Sequence, residues 1–151
     1  MPAHFDKYNS THKAEELFNI VADVEKYPEF LPWVGACRIV ERGEDFFIAD
    51  MMVKFKSFSH KYTSRVDMVR GNLTGNPWKI NVGLVRGPFK YLRTNWVFRD
   101  IEAGKSEIEF ELDFKFESMI FEKMLGFLFE KAVLKMTDAF EKRADELLGK
   151  N

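Results

Sequence analysis

The spacing of apolar and polar positions changes along the chain, and each change marks an element. Residues 2–9 are short and mixed and predict an edge strand. Thr11 offers an N-cap, and Glu15 and Glu16 stand in the first turns, where carboxylates favour the helix dipole. Ala14, Leu17, Phe18, Val21 and Ala22 recur at three and four residues and predict a helix to about Asp23. VEKYPEFLPW follows as a second short helical piece, interrupted by Pro28 and Pro32. From about residue 35 the period falls to two. ACRIVERG, FFIADMMVKF, FSHKYTSRVDMV, WKINVGLV, FKYLRTNWVFRD and SEIEFELDFKFE read as strands. Between them lie a Gly-Glu-Asp turn, a turn near Lys56–Ser57, the loop GNLTGNP, the turn Arg86-Gly87-Pro88 and the turn EAGK. In the last strand Ile108, Phe110, Leu112, Phe114 and Phe116 alternate with Glu107, Glu109, Glu111, Asp113 and Lys115. One face of that strand is buried and the other wet, as in an antiparallel sheet covered on a single side.

The tail supplies the cover. From Ser118, which can cap, about 30 residues run without proline. Phe121, Leu125, Leu128, Phe129, Ala132, Met136, Phe140 and Leu147 form a helical stripe. Ile120, Met124, Phe127 and Leu134 add apolar positions on neighbouring faces, which predicts that the first half of the helix buries more than one side. The order predicts an α+β helix-grip fold, a curved antiparallel sheet of about six to seven strands wrapped around a long C-terminal helix. Two small helices lie near the N-terminus, and residues 1–151 form a single domain. Such a sheet and helix can part near the helix's N-terminal half and leave a cavity. YPEFLPWV, Tyr27 to Val34, keeps its apolar side chains although two prolines break its backbone. That combination suits the lid of such a cavity.

Composition narrows the chemistry. Phenylalanine occurs 16 times and leucine 11, an inversion of the usual order that points weakly to a thick core or a lined cavity. With 23 basic and 24 acidic residues the formal net charge is −1, and no basic stripe of the kind duplex binding needs is present. DNA is therefore not an expected partner. Cys37 is the sole cysteine, so the sequence holds no disulfide framework and no cysteine-pair zinc site. His4, His12 and His60 are scattered without metal-ligand spacing, and no metal is expected. Nucleophile-elbow, Walker and dinucleotide motifs are absent, which points to no catalytic residues and no catalytic cofactor. The acidic row of the last strand reads as a solvated face balanced by Arg93 and Arg99 of its neighbour. The N-terminus lacks signal-peptide character and no run is long enough to span a bilayer. The expected location is the cytoplasm, or the inner face of the bacterial membrane as a peripheral protein.

DVEKYPEFLPW (Asp23–Trp33), GPFKYLRTNWVF (Gly87–Phe98) and AFEKRA (Ala139–Ala144) resemble the coenzyme Q-binding START-like family of the SRPBCC superfamily. That family includes bacterial ribosome association toxins and shares its fold with polyketide cyclases and aromatases. The resemblance covers nearly the whole chain and implies the helix-grip fold. It also implies non-enzymatic binding of ubiquinone (coenzyme Q) or a similar polyprenyl lipid, as a carrier or chaperone supporting respiratory electron transport. The alternative it allows is a ribosome contact that blocks subunit association; a cyclase-type enzyme ranks last. In many relatives a cysteine follows LPW, where this chain has Val34.

The candidate ligand site joins three groups. The lid contributes Tyr27, Phe30, Leu31, Pro32 and Trp33; the strands contribute Leu92, Trp96, Phe110, Phe114 and Phe116; the helix contributes Leu125 and Phe129. Tyr62, Arg65 and Asn95 are the candidate contacts to a quinone head, on strands able to reach the cavity. A polyprenyl tail or another hydrophobic small molecule gains ~0.8 kcal/mol per buried CH2, so apolar walls suffice for strong binding. Phe30, Leu31 and Trp33 are also the expected peripheral contact with a membrane interface.

Overall fold

Gly104, with φ of 76°, turns the longest hairpin of the sheet. It joins β6 (Phe89–Glu102) to β7 (Lys105–Phe116), in a register that sets Trp96 against Phe110 and Phe98 against Ile108. A computed structural model of the chain describes residues 3–55, 58–72 and 75–149. The expected Lys56–Ser57 turn, and Leu73 and Thr74 of the loop GNLTGNP, lie outside the described residues. The remaining strands are β1 (Ala3–Ser10), β2 (Val34–Arg42), β3 (Phe46–Phe55), β4 (Phe58–Val69) and β5 (Trp78–Arg86). Together they make a seven-stranded sheet in the order β1-β7-β6-β5-β4-β3-β2, every pair antiparallel. Register shifts in β2, β5 and β6 bend it into a trough.

Helix α1 (Ala14–Ala22) closes one end of the trough through Leu17, Phe18 and Val21. Phe18 packs on Trp78 at 5.0 Å and on Phe98 at 6.2 Å. The helix begins two residues later than Thr11 predicts. Lys13 is the N-cap, its amide donates to Glu16 Oε1 at 3.1 Å, and the Ala14 amide donates to Asp100 Oδ1 of β6 at 2.9 Å. A carboxylate from a distant strand thus replaces the local cap. A 3₁₀ helix (Val24–Glu29) follows, with Pro28 inside it.

The tail differs from expectation in two ways. The long helix is divided into α2 (Met119–Leu134) and α3 (Met136–Leu148), with the Lys135 amide turning back to Ala132 O at 3.1 Å. Ser118 does cap it, accepting from the Phe121 amide at 3.1 Å. The second difference is on the outside. Ile120, Met124, Phe127 and Leu134 are 70, 55, 73 and 59% exposed, so α2 buries one face and leaves its other apolar face uncovered. Under the buried face, Phe89, Phe114, Phe116 and Phe129 form one aromatic cluster with ring separations of 4.6–6.3 Å.

Candidate functional site

Period-two alternation puts every second strand residue on the inner face of the trough. On β4 these are Tyr62, Ser64 and Val66, and on β6 they are Leu92, Thr94 and Trp96. Ala49, Met51 and Val53 of β3, Val82 of β5, and Phe110 and Leu112 of β7 extend the floor. Opposite them stand Phe129, Ala132 and Val133 of α2 and Met136 and Phe140 of α3. Between floor and helices lies a cavity of about 100 Å³. It spans the α2–α3 junction, one to two turns later along the tail than the sequence pattern placed it.

The lid closes it from the N-terminal side. The chain leaves the 3₁₀ helix in successive turns, Leu31 N donating to Tyr27 O at 2.9 Å and Val34 N to Leu31 O at 3.0 Å. These turns aim Tyr27, Leu31, Trp33 and Val34 into the cavity. Leu31 is 1% exposed and so cannot be the membrane contact the sequence suggested. Phe30 turns to the far side of the lid, where its ring meets Tyr27 at 5.9 Å and Phe140 at 5.2 Å. Arg143 lies over that ring at 5.0 Å and pairs with Glu29 at 2.6 Å, which holds the Glu29 carboxyl below its usual range. Pro32 is exposed on the rim.

The cavity is apolar with a few neutral polar atoms. Among the described residues that line it there is no carboxylate, imidazole, ammonium or guanidinium group. The Tyr62 hydroxyl donates to Met51 Sδ at 3.2 Å, and burial raises its pKa. Burial likewise raises Tyr27, whose hydroxyl donates to Val21 O, and pushes the Cys37 thiol up to about 12. That thiol stays protonated at neutral pH and is a poor nucleophile. The hydroxyls of Ser64 and Thr94 complete the polar set. Gly87 in the GPFK turn supports this corner: its φ is 153°, and a Cβ there would fall 2.5 Å from Tyr62 Cβ.

Of the sequence candidates, Tyr27, Leu31, Trp33, Leu92, Trp96, Phe110, Phe129 and Tyr62 are brought together at the cavity. Phe114, Phe116 and Leu125 are buried, but they fill the core beneath the first turns of α2. Arg65 and Asn95 are out of phase with the inner face. Arg65 is exposed, pairing with Asp67 at 3.1 Å and lying over Phe46 at 3.9 Å, and Asn95 donates to Glu111 Oε1 at 3.4 Å. They cannot contact a head group inside the cavity. Sequence reasoning missed Ser64, Thr94 and Phe140; strand parity alone could have found the first two.

On the outside of the sheet, Arg93 pairs with Asp113 at 3.3 Å and Arg99 with Glu107 and Glu109 at 3.8 and 3.6 Å, the expected solvated face. One polar cluster was not expected. Donor atoms of His12, Glu141 and Asp145 lie within 4.8 Å of one another, away from the cavity. His12 Nε2 meets Asp145 Oδ1 at 2.7 Å, Ser10 Oγ donates to Glu141 Oε2 at 2.9 Å, and Thr137 Oγ1 donates to Asp6 Oδ2 at 2.6 Å. Thr137, Glu141 and Asp145 stand four residues apart on α3, so these contacts form a ladder fastening α3 to β1 and the turn after it.

Residues 10–141 match the family described as polyketide cyclase / dehydrase and lipid transport. The chain is 38% identical over 138 residues to the ribosome association toxin RatA of Rickettsia prowazekii, covering 91% of this chain and 92% of that one. It is 27% identical over 133 residues to the mitochondrial coenzyme Q-binding protein COQ10 of Drosophila melanogaster, covering 85% of this chain and 52% of that one. A START superfamily protein from Mycobacterium smegmatis superposes with a TM-score of 0.77 at 19% identity, over 96% of this chain and 98% of the other. With its curved seven-stranded sheet gripping the C-terminal helices, the chain belongs to the polyketide cyclase / dehydrase and lipid transport family of START-like domains, the family of the RatA and coenzyme Q-binding proteins.

Proposed function

We propose that the protein binds a polyprenyl quinone, ubiquinone or a close analogue, in the cavity between floor, helices and lid, and acts as its carrier rather than as an enzyme. The observation that carries this reading is the lining: apolar walls, a few hydroxyls and no charged group among the described residues. Acid–base catalysis requires a group that changes protonation near neutral pH. Tyr27, Tyr62 and Cys37 are all held neutral by burial, so they can donate hydrogen bonds without exchanging protons. Tyr62 spends its hydroxyl on a thioether, a weak acceptor that a quinone carbonyl would displace. Ser64 and Thr94 offer further donors on the same floor.

The closed cavity, at about 100 Å³, is smaller than the roughly 300–1,000 Å³ that holds a drug-sized ligand, so loading requires the lid or α2 to swing outward. Trp33 and Trp96 both face the cavity and serve as reporters. A short-tailed ubiquinone should quench their fluorescence saturably, and Ala132→Phe, which fills the space beside the lid, should abolish saturation. Equal quenching of both proteins would refute this placement of the ligand.

A second reading has its own support. The Rickettsia relative, matched over nearly its full length, is named for ribosome association. Co-sedimentation with ribosomal subunits that weakens steeply with salt would support it, because electrostatic contacts to RNA are salt-sensitive.

A further inference from the structure

The outer face of α2 is apolar and uncovered. Ile120, Phe127 and Leu134 recur every seventh residue and align as a ridge, with Met119 and Met124 beside it, all 55–73% exposed. From Ile120 to Leu134 the ridge runs ~21 Å. Exposed apolar surface concentrated in this way marks a contact site. We propose that this ridge docks on an anionic bilayer and holds the cavity mouth against the membrane; the proposal rests on the lipid-carrier reading and extends it.

Two observations choose a bilayer over a protein. Lys131 and Lys135 follow the ridge on the flank nearer the lid, Lys131 lying over Phe127 at 5.6 Å from the ring centre, while Lys123 and Glu130 stand on the other flank. Apolar side chains sunk to the acyl boundary with lysines spread at head-group level is the pattern of an interfacial helix. The ridge also runs beside the seam between α2 and the lid, which has to part for loading. A groove lined by Trp33, Lys54, Phe55, Leu128, Lys131 and Lys135 runs between α2 and the lid, and Trp33 lines the cavity as well. A lipid leaving a bilayer beneath α2 reaches the cavity along that groove without crossing water, and Lys54, Lys131 and Lys135 meet the phosphates at its rim. A second copy of the chain fits less well. Antiparallel pairing about Phe127 opposes Lys123 to Lys131, and a ridge one helix wide falls short of the ~800 Å² per partner of a stable interface.

The test is flotation with phosphatidylcholine vesicles, with and without phosphatidylglycerol. The wild type should float with the anionic vesicles. Ile120→Glu with Phe127→Glu should lower partitioning at least about tenfold while the melting curve is kept, since both side chains are already in water. Lys123, Lys131 and Lys135 changed to Gln should remove the preference for anionic lipid. Flotation of the Glu variant equal to the wild type overturns the proposal, and so does a wild type that stays in solution as a dimer which the Glu variant converts to monomer. Solvent extraction of the same samples separates the two readings. A ligand-free protein that floats removes the carrier reading and leaves the membrane face standing; a loaded protein that does not float does the reverse.

Discussion

Helices α2 and α3 are consecutive, separated by one residue, and built on opposite plans. Helix α3 has a charged outer face and is fastened along one side by the ladder Thr137–Asp6, Glu141–Ser10 and Asp145–His12. On another side Phe140 is surrounded by Tyr27, Phe30 and Trp96 at 5.2 Å each. Helix α2 has no such ladder among the described residues. It rests on the cluster around Phe129 and turns an apolar face to solvent. The difference assigns the labour: α3 anchors the cavity and the lid, and α2 carries the uncovered apolar face. The cavity lies under the junction, where both plans act on it.

Two phenylalanines, one on each helix, should respond in different ways to truncation. Phe140→Ala should cost about 3–5 kcal/mol in urea unfolding, because it empties a packed aromatic site. Phe127→Ala should stay within about 0.5 kcal/mol of the wild type, being exposed. Similar losses at both positions would contradict the division. A smaller effect sharpens it. Thr137→Val keeps the shape of a buried residue but strands Asp6 without its donor, and should cost about 1–3 kcal/mol in the same measurement.

The smallest effect is a pH dependence at Glu141. Burial raises its carboxyl above the usual range, against the opposing pull of the Ser10 hydrogen bond and of His12. A folded-state pKa above the unfolded one means that ionisation weakens the fold as pH rises through the carboxylate range. Glu141→Gln retains an acceptor for Ser10 and removes that charge. Its stability relative to wild type should be nearly unchanged at low pH and modestly higher at neutral pH. Thermal melts at both values check the sign, and a Gln variant weaker only at neutral pH would show that the charge stabilises α3.

Much of this was legible in the chain. Alternation in the β7 segment gave strand, face and salt-bridged exterior together, because one residue slipped would bury the glutamates. The lid was legible because Tyr27, Leu31 and Trp33 stay apolar where prolines forbid a regular element. Two of the three head-group candidates failed on parity, Arg65 and Asn95: Asn95 precedes Trp96 and Arg65 follows Ser64, and adjacent strand residues cannot both face inward, whereas Tyr62 does reach the cavity. Ser64 and Thr94 were passed over because a small hydroxyl draws no notice by its type, although its parity with Tyr62 or Trp96 places it inward. The outer face of α2 was misread because apolar residues all round a helix imply burial only if something covers them, and no local pattern reports that. The Asp100 cap of α1 and the ladder to β1 depend on contacts across most of the chain, which spacing cannot supply.

The central claim, a quinone-type lipid in the cavity, meets its most direct test in solvent extraction of the purified protein followed by mass spectrometry. A polyprenyl quinone should be recovered near one per chain from the wild type and be lost from Ala132→Phe. A well-folded wild type that yields no lipid after exposure to quinone-containing vesicles would contradict it.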